Sequence, residues 1–256
     1  VIILLTGTIE KLRRQTQERI DKGFVGLDSS ALIYDKDSVL VGVGKVDSSI
    51  QGFVLTSTTS DFNKATATKL NCKLTSIHDP VLFVIKKNKS VLEKLERWLK
   101  VYNATDGQID EPMLLIDDEA DNASINTRKD YEEPTIINSA IRRLLSLFKK
   151  ANYVGFTATP FANIFIDPDK TEEEILKDDL FPRHFIYALE TPPNYIGARG
   201  LFSDSTSDGR DVDGKFSYML HDNQDCEAFV PEKHPKGFIP NGITDSLDYA
   251  LASFFI

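Results

Sequence analysis

The run Met113-Leu114-Leu115-Ile116-Asp117-Asp118-Glu119-Ala120-Asp121 constrains the fold of this chain more than any other segment. A continuous apolar stretch of strand length is what a parallel strand covered on both faces needs. In open α/β sheets, ligands gather beyond the carboxyl ends of the strands, which is where these acids fall. One carboxylate at such a tip can ligate Mg²⁺ while its neighbour positions a water molecule, the division of labour that phosphoryl transfer requires. The same string also fits a solvated strand-to-helix turn in which an Asp or Asn caps the next helix.

A second segment favours the ligand-binding alternative. Tyr153-Val154-Gly155-Phe156 is another short apolar strand, and it too ends in small hydroxylated residues, Thr157-Ala158-Thr159-Pro160. Hydroxyls at that tip are placed to bond the carboxylates of a neighbouring strand and to link nucleotide state to a second ligand.

Strands and helices alternate along the rest of the chain. Val1 to Thr6, Gly52 to Ser57 and Pro80 to Lys86 read as core strands, with Pro112 to Asp117 as the acid-tipped one. Between the first two lies a helix from Thr8 to Asp21, with Thr8 as its cap and Glu10 favourable in its first turn. Residues 24–51, rich in Gly, Ser and Asp with short β-branched runs, read as an irregular or hairpin insertion. A Ser90-x-x-Glu93 capping box starts a helix whose Leu92, Leu95, Leu99 and Tyr102 share a face, and Asn103 with Gly107 ends it. Pro134 suits the first turn of a helix with Ile137, Ile141, Leu144, Leu145 and Phe148 inward and Arg142, Arg143, Lys149 and Lys150 outward. Beyond Pro160 the pattern loosens into an acidic helix over 167–179, a late strand over Phe185 to Leu189, and a Gly-, Asp- and Pro-rich region from Leu201 to Pro240. Repeated alternation implies right-handed crossovers and one parallel sheet flanked by helices, an α/β fold of RecA-like layout. The expected division is a core over 1–166, with its insertion, and a loop-rich accessory region over 167–256.

The order Asp118-Glu119-Ala120-Asp121, a helix, then Thr157-Ala158-Thr159 resembles motifs two and three of superfamily two helicases and translocases. More of the chain resembles the Z-one domain of bacterial proteins described as endonucleases and of phage-defence or restriction-type proteins. The segments that carry this likeness are Leu5 to Thr8, Leu12 to Arg19, Leu115 to Asn126, Gly155 to Asn163, Tyr195-Ile196-Gly197 and Ser246 to Phe254. The resemblance implies a DNA-dependent motor that hydrolyses ATP with Mg²⁺ and works beside defence-system partner proteins. It assigns Asp118 as the Mg²⁺ ligand through water, and Glu119 as the residue that orients the hydrolytic water. Asp117 takes the metal role if the register shifts by one. Asp121, Thr157 and Thr159 become coupling residues. Leu12-Arg13-Arg14-Gln15 falls where that family has Leu-x-x-Gln, which implies DNA-backbone contacts from Thr8, Arg13, Arg14 and Gln15, although Thr8 stands one residue further from the Leu than the family spacing. The other reading of this helix is amphipathic, with Ile9, Leu12, Thr16 and Ile20 buried and the arginines solvated.

Composition limits these readings. With 256 residues and 41% hydrophobic side chains the chain can bury one sizeable core. A net charge of −9 argues against bulk electrostatic coating of nucleic acid, so local basicity must carry DNA contact. Cys72 and Cys226 form neither a metal cluster nor a disulfide framework, and no run approaches bilayer length, so a cytoplasmic protein without membrane partners is expected. A motor also needs a Gly-rich loop and lysine around the phosphates, normally on the first strand. The one spacing match, Gly209 to Lys215, is followed by Phe216 where a Ser or Thr belongs and reads as a decoy. The expectation is therefore a piece of a longer protein, inactive alone, whose phosphate loop lies upstream of Val1. Two alternatives stand beside it: a non-hydrolysing RecA-like module that binds nucleic acid or protein, and a metal-dependent endonuclease using Asp117, Asp118 and Asp121. No Glu-x-Lys follows Pro168-Asp169 at nuclease spacing, and His78, His184, His221 and His234 are scattered.

Overall fold

A computed structural model of the chain describes residues 1–30, 39–49, 52–63, 73–124, 135–164, 166, 180–202, 204–205, 211–221, 225, 231, 233, 235–240 and 242–254. The expected helix over 167–179, the first-turn Pro134, both cysteines and His234 lie outside the described residues. By internal contacts the chain divides into Val1–Ile186 and Tyr187–Ile256.

The first unit is built on a five-stranded, all-parallel sheet. Its strands are β1 (Ile2–Thr6), β2 (Phe53–Val54), β3 (Val81–Lys86), β4 (Met113–Asp118) and β5 (Ala151–Phe156), and their spatial order is β2-β3-β1-β4-β5. The helices are α1 (Glu10–Ile20), α2 (Val43–Val46), α3 (Lys89–Tyr102), α4 (Ile136–Ser146) and the single turn α5 (Phe161–Ile164). β1 leads to an edge strand on one side, whereas β3 crosses over β1 to reach β4 on the other. Right-handed crossovers in opposite directions put the intervening helices on opposite faces of the sheet. The two cores bear this out. Ile3, Leu5, Phe83, Ile85 and Leu115 pack with Leu92, Leu95 and Leu99 of α3 and Ile141 and Leu144 of α4. Ile2, Val54 and Leu82 pack instead with Ile20 and Val25 of the α1 side. Because side chains alternate along a strand, odd-numbered residues of β1, β3 and β4 face the larger core and even-numbered ones the smaller.

Tertiary context moved several local expectations. Helix α3 is capped by Asn88, whose side chain accepts from the amides of Ser90 and Val91, rather than by Ser90. Helix α4 is capped by Thr135, which accepts from the amide of Asn138. Helix α1 starts after Ile9 with no side-chain cap, so Thr8 does not cap it. Residues 185–189 form no strand and are exposed. Among the described residues of the insertion, Leu27 and Leu40 form an antiparallel bridge ahead of α2; residues 31–38, 50 and 51 lie outside the described residues. Arg142, expected outside, is 1% exposed and reaches Asn138 one turn back.

The face of α1 is the largest departure. Ile9 and Leu12 are 58% and 37% exposed, while Arg13 and Gln17 are fully buried and Asp21 nearly so. Spaced four apart, these three polar residues form a stripe held inside by hydrogen bonds and charge, with Arg13 Nη2 lying 2.7 Å from Glu10 Oε1 as an ion pair and not an aligned hydrogen bond. Gln17 donates to Asp21 Oδ1 at 2.8 Å and accepts from Thr56 Oγ1 at 2.8 Å, and Thr56 in turn accepts from the amide of Val84. Asp21 Oδ2 accepts from the amide and hydroxyl of Ser29, and burial raises its pKa above the usual carboxylate range. Hydropathy periodicity misses such a stripe because it scores polar residues as exposed, whereas a fully bonded polar group can be buried at little net cost.

In the second unit, β6 (Asp204–Ser205) and β7 (Asp211–Val212) make a short antiparallel ladder, and Tyr195-Ile196-Gly197 leads into α6 (Ala198–Leu201). Ser246 to Phe254 falls within α7 (Asp245–Phe254). After Lys215 comes only the 3-10 turn Ser217–Met219, so no helix opens at this spacing match to a phosphate loop. No helix among the described residues is long and apolar enough to cross a membrane.

Candidate functional site at the carboxyl end of the sheet

The sheet brings the tips of β1, β3, β4 and β5 together, because β1, central, is hydrogen-bonded to both β3 and β4, and β4 to β5. This is the switch-point geometry at which α/β sheets form binding crevices, since the chains leaving adjacent strands depart to opposite faces.

Of the two aspartates that end β4, the register decides which is available. Asp117 lies opposite Leu5 of β1 and so points into the larger core, where it is completely buried. Its Oδ2 accepts a 2.7 Å hydrogen bond from the hydroxyl of Tyr153. Its Oδ1 lies 2.8 Å from Nζ of Lys87, an ion pair by proximity rather than an aligned hydrogen bond. Asp117, the metal ligand of the shifted register, is thus held inside the core between Tyr153 and Lys87. Asp118, one residue on, points the other way and is exposed.

Glu119 is exposed too, and its backbone is left-handed at φ 53°. A non-glycine residue held there costs on the order of 1–3 kcal/mol and persists only where its surroundings dictate it. The turn is dictated: the amide of Ala120 donates to Phe156 O and that of Asn122 to Glu119 O. The result is that the Glu119 carboxylate lies over the tip of β1, on Gly7, where a Cβ would stand 2.7 Å from Oε2. Only glycine leaves room for the carboxylate at that point.

Asp121 meets both threonines. Thr157 Oγ1 donates to Oδ1 at 2.7 Å, and Thr159 Oγ1 donates to Oδ2 at 2.9 Å. The Thr157 hydroxyl is the main reason that the Asp121 carboxyl is held below its ordinary pKa, with Thr159 and the nearby Lys87 charge acting in the same direction. Thr157 also accepts from the amide of Thr159, which folds the β5 tip around the carboxylate.

The α1 residues divide. Thr8, Arg14 and Gln15 are exposed, and Arg14 pairs with Glu18 one turn along. Arg13 is enclosed: its guanidinium donates to Ser57 O at 2.9 Å, to Val84 O at 3.4 Å and to Glu10 Oε1 at 2.7 Å. It ties α1 to the sheet, so the structure places this expected DNA-contact residue inside, apart from the exposed Thr8, Arg14 and Gln15.

Lys87 and Tyr153 were missed by sequence reasoning. Lys87 Nζ donates to Glu119 O at 2.6 Å and Asn122 O at 3.0 Å, with its side chain fully buried. Strand parity is the signal that finds it: in Lys86-Lys87 the odd-numbered lysine continues the inward row of Phe83 and Ile85. His78, His184 and His221 are all exposed, and no cluster of metal-binding side chains of three or more occurs among the described residues. No protein family, curated protein or solved structure matches this chain.

Proposed function

We propose that this chain is part of a RecA-like, ATP-dependent DNA translocase or helicase-like motor of the Z-one type, acting in a restriction or phage-defence system. The observation that carries the reading is the pairing of an exposed Asp118-Glu119 tip with a neighbouring strand whose Thr157 and Thr159 both grip Asp121. The donor set is all oxygen, which suits Mg²⁺ rather than a softer metal. Asp118 would hold Mg²⁺ through water, and the ion supplies charge neutralisation to the phosphates when bound. Glu119, seated on Gly7, orients the attacking water and takes its proton. Asp121 and the two hydroxyls link the hydrolytic tip to movement of β5. DNA contact falls to the exposed Thr8, Arg14 and Gln15 of the α1 region.

The endonuclease alternative loses support because Asp117 is engaged with Lys87 and Tyr153, and Asp121 with two threonines. The test is ATP hydrolysis by the full-length protein with and without DNA. Hydrolysis stimulated by DNA is expected, and Glu119→Gln lowers turnover by about 10²–10⁴-fold while nucleotide affinity stays within a few-fold. Binding of DNA without hydrolysis in the intact protein would replace the motor by a non-hydrolysing module.

A further inference from the structure

We propose that Lys87 is a positioning residue that locks the Glu119 turn in its left-handed form. The inference rests on the hydrolytic role proposed for Glu119. Among the described residues, the partners of the Lys87 ammonium belong to one short segment: the Asp117 carboxylate as its ion-pair partner, and the carbonyls of Glu119 and Asn122 as its hydrogen-bond acceptors. The two carbonyls bracket the turn in which Glu119 sits at φ 53°. Glu119 O also accepts from the amide of Asn122, so one oxygen joins the turn's internal bond to the lysine. At its other end Lys87 is fixed to the central strand, where its amide donates to Thr6 O at 3.3 Å, next to the Gly7 on which the Glu119 carboxylate rests.

This arrangement differs from an ordinary buried ion pair. Pairing Asp117 requires only one contact to a cation, and its other oxygen is already bonded to Tyr153. The ammonium instead directs its hydrogen bonds at the backbone of the turn. A buried ammonium is costly unless its protons are met, so the lysine and the turn stabilise each other's conformation. Without the clamp, the turn keeps only its two backbone bonds, from Ala120 to Phe156 O and from Asn122 to Glu119 O, and Glu119 relaxes more readily to right-handed or extended backbone, which swings its carboxylate away from β1.

The experiment uses the full-length protein carrying Lys87→Met together with Asp117→Asn, which removes both charges and leaves no unpaired buried ion. Backbone amide exchange is expected to accelerate about 10-fold or more at Asn122, with no change in the β1 amides. Turnover is expected to fall about 10–100-fold with the nucleotide KM within about threefold, as for a group displaced by roughly an ångström. Introducing the two changes into a Glu119→Gln protein should lower its turnover little further, because Lys87 acts through Glu119. Unchanged exchange at Asn122, or a penalty equally large with Gln at position 119, overturns the proposal. If the wild-type protein hydrolyses no triphosphate, the motor reading fails on its own, and exchange at Asn122 still decides whether Lys87 holds the turn.

Discussion

Asp121 Oδ1 accepts a 2.7 Å hydrogen bond from Thr157 Oγ1, joining the loop after β4 to the tip of β5. Replacing Thr157 by Val keeps the shape and deletes this bond, together with the one Thr157 accepts from the amide of Thr159, and leaves Thr159 as the hydroxyl partner of Asp121 among the described residues. Because Asp121 is only half-buried, the expected loss is small, about 0.5–1 kcal/mol at pH 7. Its folded pKa is depressed, so the contribution is complete above the unfolded value of ~3.9 and disappears as pH falls through the lower folded value. Urea unfolding of wild type and Thr157→Val should therefore differ at pH 7 and converge below about pH 4. A gap that persists undiminished at low pH would mean that packing, not the carboxylate, accounts for it.

Arg13 and Arg14 are adjacent in sequence and opposite in environment, with side chains 0% and 61% exposed. Arg13→Met removes the guanidinium that donates to the carbonyls of Ser57 and Val84, of which Ser57 O keeps the amide of Ser60, and is expected to cost about 2–4 kcal/mol. Arg14→Ala should change stability by less than about 0.5 kcal/mol. On DNA, Arg14→Ala should weaken binding and reduce the salt-dependence slope by about one. Denaturant titration and binding measured at several salt concentrations check the pair, and a well-folded Arg13→Met variant would remove Arg13 from the framework.

Gly7→Ala separates site geometry from stability. The new methyl meets the Glu119 carboxylate, the far end of a flexible side chain that can swing into solvent. Gly7 is not in the left-handed region, so alanine brings no backbone strain. Gly7 is buried, but the atoms nearest the new methyl are those of the movable Glu119 carboxylate, so thermal unfolding should stay within about 1 kcal/mol of wild type. Hydrolysis by the full-length protein should fall about 100-fold. Unimpaired turnover would show that Glu119 does not act from its seat on Gly7.

Much of this architecture was written in local patterns. The apolar runs of β1, β3 and β4, the helical face of Leu92, Leu95 and Leu99, and the placing of acids and hydroxyls at the ends of apolar runs are consequences of periodicity and strand length. These depend only on near neighbours along the chain. Pairing across strands lies beyond that range. Whether Asp117 or Asp118 faces solvent is set by registration against Leu5, since a one-residue slip would exchange them. The burial of Arg13, Gln17 and Asp21 depends on acceptors and donors at Ser57, Thr56 and Ser29, so no hydropathy pattern along α1 contains it. Lys87 reaches Glu119 only because the strand order inserts β1 between β3 and β4, bringing together a lysine and a turn more than thirty residues apart. Local periodicity thus determined which elements form and what chemistry their ends carry. Tertiary structure decided which polar groups are buried against one another, because a buried charge is tolerated only where distant parts of the chain supply its partners.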